Sequence, residues 1–210
     1  MDTDARFWDR IAEDYAKKPL PNPDATARKL DVTRSFLAPG HRLLDLGCGT
    51  GTILLELAPH VAEAHGVDVS PAMIAIAERK AAAAGARNAH FRAAPAGGLE
   101  DVPDASFDCV CAYNLLHLVP DPAALVRGVH RVLRPGGVFV SSTACLGGTW
   151  LPPYALFLPV LRWLGKAPPV TLLTPDELRA ALDDAGFADV RAPEVGARAP
   201  AVFLTARKAA

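Results

Sequence analysis

The chain lacks the features that define several specialised classes of protein. Its 22 Lys and Arg residues are balanced by 23 Asp and Glu residues, so there is no excess of positive charge to attract nucleic acid. No run of about 18 apolar residues is present, which argues against a membrane-spanning helix. Neither a nucleic-acid partner nor a transmembrane span is therefore expected.

Cysteine is scarce, and no secretion signal is visible. Residues 1–10 are polar and charged, without the apolar stretch that a secretory signal needs. The four cysteines are Cys48, Cys109, Cys111 and Cys145. We expect a cytoplasmic protein in which these cysteines are reduced thiols.

A metal site is not expected either. Cys109 and Cys111 alternate on one predicted strand, where paired thiols either bind a soft metal or pack as small hydrophobic side chains. A structural zinc site needs about four ligands, and no second Cys or His pair lies at a suitable spacing. The sequence also contains no Gly-x-Ser-x-Gly elbow, no His-Glu-x-x-His motif and no phosphate loop ending in Gly-Lys-Ser or Gly-Lys-Thr.

The composition and length suit one globular domain. Half of the 210 residues are apolar and 21% are charged, which is enough for one substantial core. Strands are predicted over 41–46, 64–69, 88–93, 107–113, 138–143, 188–195 and 201–206. Helices are predicted over 4–17, 24–36 and 52–60, and three more begin at Pro71, Pro122 and Pro175. We expect a single domain over residues 1–210.

The order of these elements indicates an α/β fold. Strands that alternate with helices form a mostly parallel sheet with helices on both faces. Residues 196–200, between the last two strands, are too few for a crossover helix. The last two strands are therefore predicted to pair antiparallel.

A glycine loop follows the first strand, in the segment Asp45-Leu46-Gly47-Cys48-Gly49-Thr50-Gly51. Such a loop lets a ligand lie against bare backbone at the carboxyl edge of the sheet. The dinucleotide fingerprint has glycine at its first, third and sixth positions, but the sixth position here is Thr52. Asp45 suits a ligand with an ammonium group better than a pyrophosphate. A nicotinamide cofactor is thus disfavoured, although it stays an alternative.

A second carboxylate, Asp68, ends the second strand, 21 residues after Gly47. A carboxylate at this point accepts hydrogen bonds from the ribose hydroxyls of an adenosine-type ligand. The alternative is that Asp68 only balances the dipole of the following helix. Ser70 is already available as the cap of that helix, which favours the ribose role.

Four motifs in register resemble one family. They are the glycine loop, Gly66-Val67-Asp68-Val69-Ser70-Pro71-Ala72-Met73, Phe107-Asp108-Cys109-Val110 followed by Leu116-His117, and Leu133-Arg134-Pro135-Gly136-Gly137. Over Phe36 to Ser142 the chain resembles the class I S-adenosylmethionine-dependent methyltransferases, of the small seven-stranded type found in many bacteria. The resemblance implies a three-layer Rossmann-like fold with strand order 3-2-1-4-5-7-6 and only the last strand antiparallel.

The resemblance also implies which residues bind S-adenosylmethionine and its product S-adenosylhomocysteine. The implied residues are Asp45, Gly47, Cys48, Gly49, Thr50, Gly51, Asp68, Val69, Met73, Pro95, Ala96, Ala112 and Tyr113. Asp45 would face the amino group and Asp68 the ribose, while Val69 and Met73 would flank the adenine. Ala112 and Tyr113 would form the floor beneath the sulfonium. Pro95 stands where the family often has an aspartate, which leaves the backbone amide of Ala96 to meet the adenine.

The sequence indicates the residues that would bind the methyl acceptor less clearly than those that would bind the cofactor. His117 follows the fourth strand and is the candidate base, although a single histidine near a pocket is also compatible with a structural role. Asn114 and Trp150 are further candidates for acceptor contacts. Tyr15 shares a helix face with Phe7 and Ile11, so it either folds over the cofactor or packs in the core.

Two segments flank the predicted sheet domain. Residues 1–36 form a helical cap, and the insertion over residues 146–173 is strongly apolar. This insertion is expected to be a lid for a hydrophobic acceptor or a surface that touches membrane lipid. Packing on its own domain or on a second copy is the alternative.

The predicted function is methyl transfer to a small molecule, with a lipophilic or aromatic acceptor favoured by the apolar lid. Quinone-type, lipid-amine, thiol and phenol acceptors all stay open, as does the oligomeric state. Two alternatives remain at this point: an NAD(P)-binding oxidoreductase, and a protein that binds S-adenosylmethionine without catalysis.

Overall fold

The computed structural model describes residues 3–147, 168 and 170–210, and these build one seven-stranded sheet in the order β3-β2-β1-β4-β5-β7-β6. The strands are β1 Arg42–Leu46, β2 Glu63–Asp68, β3 Ala89–Ala93, β4 Phe107–Tyr113, β5 Leu133–Ala144, β6 Phe187–Arg191 and β7 Ala201–Lys208. The helices are α1 Thr3–Ala16, α2 Pro23–Arg34, α3 Thr52–Leu57, α4 Pro71–Ala84, α5 Pro122–Val132 and α6 Pro175–Asp184, with short 3-10 turns at Ala58–His60 and Leu116–Leu118.

The direction of the strands confirms the predicted topology. The pairs from β3 through β5 are all parallel, whereas β7 lies antiparallel to both β5 and β6. The carboxyl ends of β1, β2 and β4 therefore meet at one edge of the sheet, and this edge carries the site.

Two strand boundaries differ from the prediction by more than two residues. Pairing of β5 with β4 already begins at Leu133, shifts register, and becomes regular at Val138, which is the predicted start. The sixth strand ends at Arg191 rather than at residue 195, because Asp189 has a φ of +51° and the register with β7 shifts beside it. Local backbone irregularities of this kind cannot be recognised from the spacing of apolar residues in the sequence.

The core lies on both faces of the sheet, because successive strand residues point to opposite sides. Leu44 belongs to the face covered by α5 and α6, whereas Leu43 belongs to the face covered by α2 and α3. Cys109 and Cys111 are fully buried on this second face, where they pack as small hydrophobic side chains.

Helix α1 packs across the site edge onto α4. The Asp9 carboxylate accepts a hydrogen bond from Ser70 Oγ at 2.6 Å and another from the Ala72 backbone N–H at 3.1 Å. Glu13 pairs with Arg79 at 2.7 Å, and Ala12 is buried against Met73. The amino end of α4 is thereby joined to α1, which forms one wall of the site.

The opposite wall is the connection between β3 and β4, residues 94–106, which contains no helix. The Arg131 guanidinium, on α5, donates to the carbonyls of Val102 and Leu99 and pairs with the Asp104 carboxylate. A charged side chain from α5 thus fixes this connection beside the site.

Candidate cofactor and acceptor site

Two clefts open at the edge where β1, β2 and β4 end. The wide cleft has a volume of about 1100 Å³ and lies between α1, the 94–106 connection and α5. The narrow cleft has a volume of about 330 Å³ and lies between α2 and the glycine loop. Both are lined by Tyr15, Gly47, Gly49, Tyr113 and Asn114, so they are two ends of one continuous site.

The glycine loop turns sharply between β1 and α3. Gly47, Gly49 and Gly51 have φ angles of +66°, +53° and +74°, which residues with a Cβ rarely adopt. At Gly51 a Cβ would lie 2.8 Å from Ala77 Cβ and 3.0 Å from the Phe91 ring. Only glycine lets the loop pack so closely against its neighbours. The loop thereby places the backbone of Gly47 and Gly49 along the two clefts.

Asp68 fixes the loop from the neighbouring strand. Its carboxylate accepts hydrogen bonds from the backbone N–H of Gly49 and of Ser70, both at 2.9 Å. Burial raises the pKa of Asp68, and these two hydrogen bonds oppose the rise. Ser70 caps α4 by accepting from the Met73 N–H, so Asp68 is not needed as the cap. Asp68 lines the wide cleft and can accept further hydrogen bonds there.

Asp45 is a buried carboxyl group with an unused acceptor atom. It is 2% exposed, it lines the narrow cleft, and its Oδ1 has no hydrogen-bond partner. Burial, followed by the nearby charge of Asp68, raises the pKa of Asp45 to about 8. A cationic ligand group beside this buried acid would lower its pKa and return it to its ionised form.

Lys29 supplies a positive charge to the narrow cleft, and sequence reasoning missed it. Its Nζ donates to Ser142 Oγ at 2.8 Å, and no carboxylate in the described part of the chain pairs with it. Burial lowers the pKa of Lys29. The residue stands alone on α2 without a motif around it, so only the packing of α2 over the sheet reveals its place.

The end of β4 forms the junction of the two clefts. The Tyr113 hydroxyl lies 2.6 Å from Thr33 Oγ1, and burial raises the pKa of this phenol. Asn114 has a φ of +55°, and its N–H donates to the Ser142 carbonyl at 2.6 Å. Ala112 is fully buried in the core and lines neither cleft, because alternation along β4 directs it into the layer beneath α5 and α6. The side chain of Ala112 thus points away from both clefts, and its place beneath the sulfonium stays a prediction.

The other predicted residues divide between the two clefts. The wide cleft is also lined by Val69, Met73, Pro95, Ala96 and His117, and the narrow cleft by Cys48 and Thr50. Gly51 lines neither and supports the loop from behind. Trp150 lies outside the described residues, as does most of the predicted lid.

The part of the wide cleft beyond the strand ends is largely apolar. Trp8, Leu118, Val119, Leu146 and Val170 line it. Tyr15 lies at its entrance, 44% exposed and in edge contact with the Trp8 ring. The pKa of Tyr15 is raised by burial and, to a smaller extent, by the charge of Asp68. The cleft therefore offers an apolar ligand a wall with few polar groups.

Two features are absent from the described residues. Residues 3–147, 168 and 170–210 contain no group of three or more His, Cys, Asp or Glu side chains that could hold a metal ion. The same residues include no helix with the length and apolar character that crossing a bilayer requires.

Comparison with known proteins agrees with this architecture. Residues 37–164, more than half of the chain, match the family described as methyltransferase domain. The ubiquinone biosynthesis O-methyltransferase of Pseudomonas aeruginosa (strain LESB58) is 33% identical over 138 residues, which cover 65% of this chain and 57% of that enzyme. The match thus spans little more than half the length of this curated relative.

Solved structures share the fold. The YcgJ protein of Bacillus subtilis superposes with a TM-score of 0.72 at 21% identity, covering 88% of this chain and 99% of that one. The phosphoethanolamine N-methyltransferase 2 of Haemonchus contortus, solved with S-adenosylhomocysteine, gives a TM-score of 0.74 at 17% identity and covers 88% and 53%. The alternative of a nicotinamide-dependent oxidoreductase is excluded by the family match. The chain therefore belongs to the class I S-adenosylmethionine-dependent methyltransferases.

Proposed function

We propose that the protein methylates an oxygen of a small, largely apolar aromatic acceptor, with S-adenosylmethionine as the donor. The observation that carries the proposal is the continuity of the two clefts. The narrow cleft offers the buried Asp45 carboxyl group and the Lys29 ammonium, and the wide cleft continues from Asp68 to an apolar wall. The curated relative named for ubiquinone biosynthesis methylates oxygen according to its name, which favours a phenol among the open acceptor classes.

The residues present fit the donor. The unused Oδ1 of Asp45 suits its ammonium group, and the Lys29 ammonium, which has no carboxylate partner in the described chain, suits its carboxylate. Asp68 can accept from the ribose hydroxyls, and Val69 and Met73 can flank the base. When bound, the donor supplies a methyl group that its sulfonium has already activated.

The chain contributes positioning and exclusion of water. Holding two reactants in line can supply about 7–11 kcal/mol of the barrier. Leu118, Val119 and Val170 offer an acceptor an apolar surface, while Asn114 and His117 are two polar groups that can orient it. We propose that residues 146–173 close over this cleft as a lid.

Calorimetric titration with S-adenosylhomocysteine tests the donor site. We expect saturable binding that Asp68→Ala weakens at least tenfold, because the ribose contact and the Gly49 anchor are both lost. Asp189→Ala, on the edge strand β6, is the matched control and should bind like wild type. Absence of binding in the wild-type protein would disprove the proposed function.

A series of ortho-dihydroxybenzenes with progressively longer isoprenoid tails tests the acceptor class. Transfer of labelled methyl should rise in kcat/KM with tail length, because each added apolar group is buried in the wide cleft. A tail-independent rate, or preference for an amine or thiol acceptor, would contradict the proposed class. Binding of S-adenosylhomocysteine without transfer to any acceptor would favour a non-catalytic binding protein.

A further inference from the structure

His117 lies where the wide cleft meets the end of β5. It belongs to the short turn Leu116–Leu118 that follows β4, and it is one of the residues that line the cleft. Its backbone carbonyl accepts a hydrogen bond from the Thr171 N–H at 2.8 Å. The residue is therefore held from two sides, by the turn itself and by the segment that returns from residue 170.

One ring nitrogen is already occupied by the backbone. The Ala144 N–H lies 3.4 Å from His117 Nδ1 in hydrogen-bonding geometry. A backbone amide can only donate, so Nδ1 must act as the acceptor and carries no proton. In the neutral ring the proton is then on Nε2.

The surroundings of the ring favour this neutral form. Burial lowers the pKa of His117, and no carboxylate in the described part of the chain pairs with the ring. A histidine that acts as a base is usually oriented by an acid that stabilises its protonated form. Here the second nitrogen meets a backbone donor, which disfavours the protonated ring.

The other ring nitrogen, Nε2, makes no hydrogen bond within the described residues. His117 lines the wide cleft, so Nε2 is the ring nitrogen that is left to donate an N–H to a molecule bound there.

From this geometry we propose that His117 is a hydrogen-bond donor to the acceptor's ionised oxygen and not its general base. This inference rests on the proposed function. The acceptor would lose its proton to solvent and bind as a phenolate, held by Nε2–H. In the transfer step an oxygen lone pair forms the new O–C bond, the electrons of the broken S–C bond stay on sulfur, and no proton passes to His117.

The tautomer can be tested without any acceptor. Imidazole ¹⁵N spectra of the wild-type protein, compared with His117→Gln to assign the ring, should show a neutral His117 at pH 7 with its proton on Nε2. The signal should keep this form as the pH is lowered through the ordinary histidine range. A proton on Nδ1, or a charged ring at pH 7, would overturn the inference while leaving donor binding untouched.

Three substitutions separate the possible roles. The Gln side chain can place an N–H near the position of Nε2, whereas Asn places one nearer Nδ1 and Ala places none. We expect His117→Gln to retain kcat/KM for the best phenol within about tenfold, and His117→Asn and His117→Ala to lose roughly 10- to 100-fold, the value of a charged hydrogen bond. Equal loss in all three variants would indicate a base, because an amide cannot take the proton.

The pH profile provides a readout that a purely structural role would not move. The acidic limb of kcat should follow ionisation of the bound phenol and shift to higher pH in His117→Ala, because the phenolate loses its donor. His117→Gln should shift it less. S-adenosylhomocysteine affinity should stay the same in all variants. If His117→Ala lowered the rate without shifting the acidic limb of its pH profile, the hydrogen-bond donor role would be overturned and His117 would have a structural role only.

Discussion

Two carboxyl groups beside the glycine loop differ in the hydrogen bonds that they accept from the protein. Asp68 accepts two backbone N–H donors, whereas Oδ1 of Asp45 accepts none. Because the folded state raises the pKa of Asp45 to about 8, folded Asp45 keeps a proton that the unfolded chain has released above about pH 4. The stability contributed by this group is full at low pH and falls as the pH rises to about 8.

Asp45→Asn should remove this pH dependence, since an amide has the same shape and does not ionise. The free energy of unfolding of the ligand-free variant, relative to wild type, should therefore increase between about pH 5 and pH 8. Urea unfolding at several pH values measures it, and Asp68 retains its own titration in both proteins. Parallel stability curves for the two proteins would refute the assignment.

Lys29 gives the second residue-scale prediction. Lys29→Met should weaken S-adenosylhomocysteine binding about 10- to 100-fold, as expected for the loss of a charged hydrogen bond. Binding of 5′-methylthioadenosine, which has no carboxylate, should not change, and Lys29→Arg should retain most of the affinity. Ser142→Ala controls for the hydrogen bond that Lys29 makes within the protein. An equal loss for both ligands would show that Lys29 only holds α2 in place.

The sequence predicted the positions of residues that belong to motifs and missed those that packing brings together. Asp45, Asp68 and the glycines were found because they lie at or just after strand ends at a fixed spacing, and all of them lie at or beneath the clefts. Lys29 and Asp9 come from helices without such a pattern. Ala112 lies at the predicted place near the end of β4, but the sequence does not indicate that its side chain points into the core.

At the scale of elements, Asp9 is the residue that joins α1 to the start of α4 beside the site. Asp9→Ala removes the acceptor for Ser70 Oγ and the Ala72 N–H at the start of α4. It should lower the free energy of unfolding by about 0.5–2 kcal/mol, as for other helix caps, and speed the dissociation of S-adenosylhomocysteine. Stopped-flow dissociation measures the second effect.

Asp14→Ala is the matched control for that anchor, because Asp14 lies on the same helix with only an exposed pairing to Lys17. It should leave both quantities unchanged within about 0.5 kcal/mol. If Asp9→Ala behaved like Asp14→Ala, α1 would not be restrained by Asp9 while the ligand is bound.

Most elements could be predicted because their signals are local. The caps Ser70, Asp121 and Thr174 each accept from the N–H three residues later, as the Ser-Pro, Asp-Pro and Thr-Pro pairs predict. The extension of β5 back to Leu133 could not be predicted in this way. Its first residues are held in the sheet by pairing with β4, a contact that a proline-glycine turn conceals in the sequence.

At the scale of the whole molecule, Gly66 is a point where several elements converge. A Cβ at this buried position in β2 would lie 2.8 Å from Phe91, 2.9 Å from Cys48 Sγ and 2.9 Å from Leu54. Gly66→Ala should lower the free energy of unfolding by about 1–3 kcal/mol through overpacking. Gly40→Ala, with nothing within 4 Å of the added Cβ, is the control and should stay close to wild type. An equal free energy of unfolding of the two variants in urea would show that Phe91, Cys48 and Leu54 can shift aside without a measurable loss of stability.

The junction of the two clefts at Gly47 and Gly49 has a consequence for chemical probes of this enzyme. A bisubstrate compound, in which an adenosyl thioether is tethered to a prenylated phenol, could occupy both ends without crossing a barrier of protein. Its second half would then bind at the millimolar effective concentration set by the tether, so the compound should exceed either half in affinity by orders of magnitude. The tether length that gives the largest gain would measure, in solution, the separation between the thioether sulfur and the acceptor's oxygen.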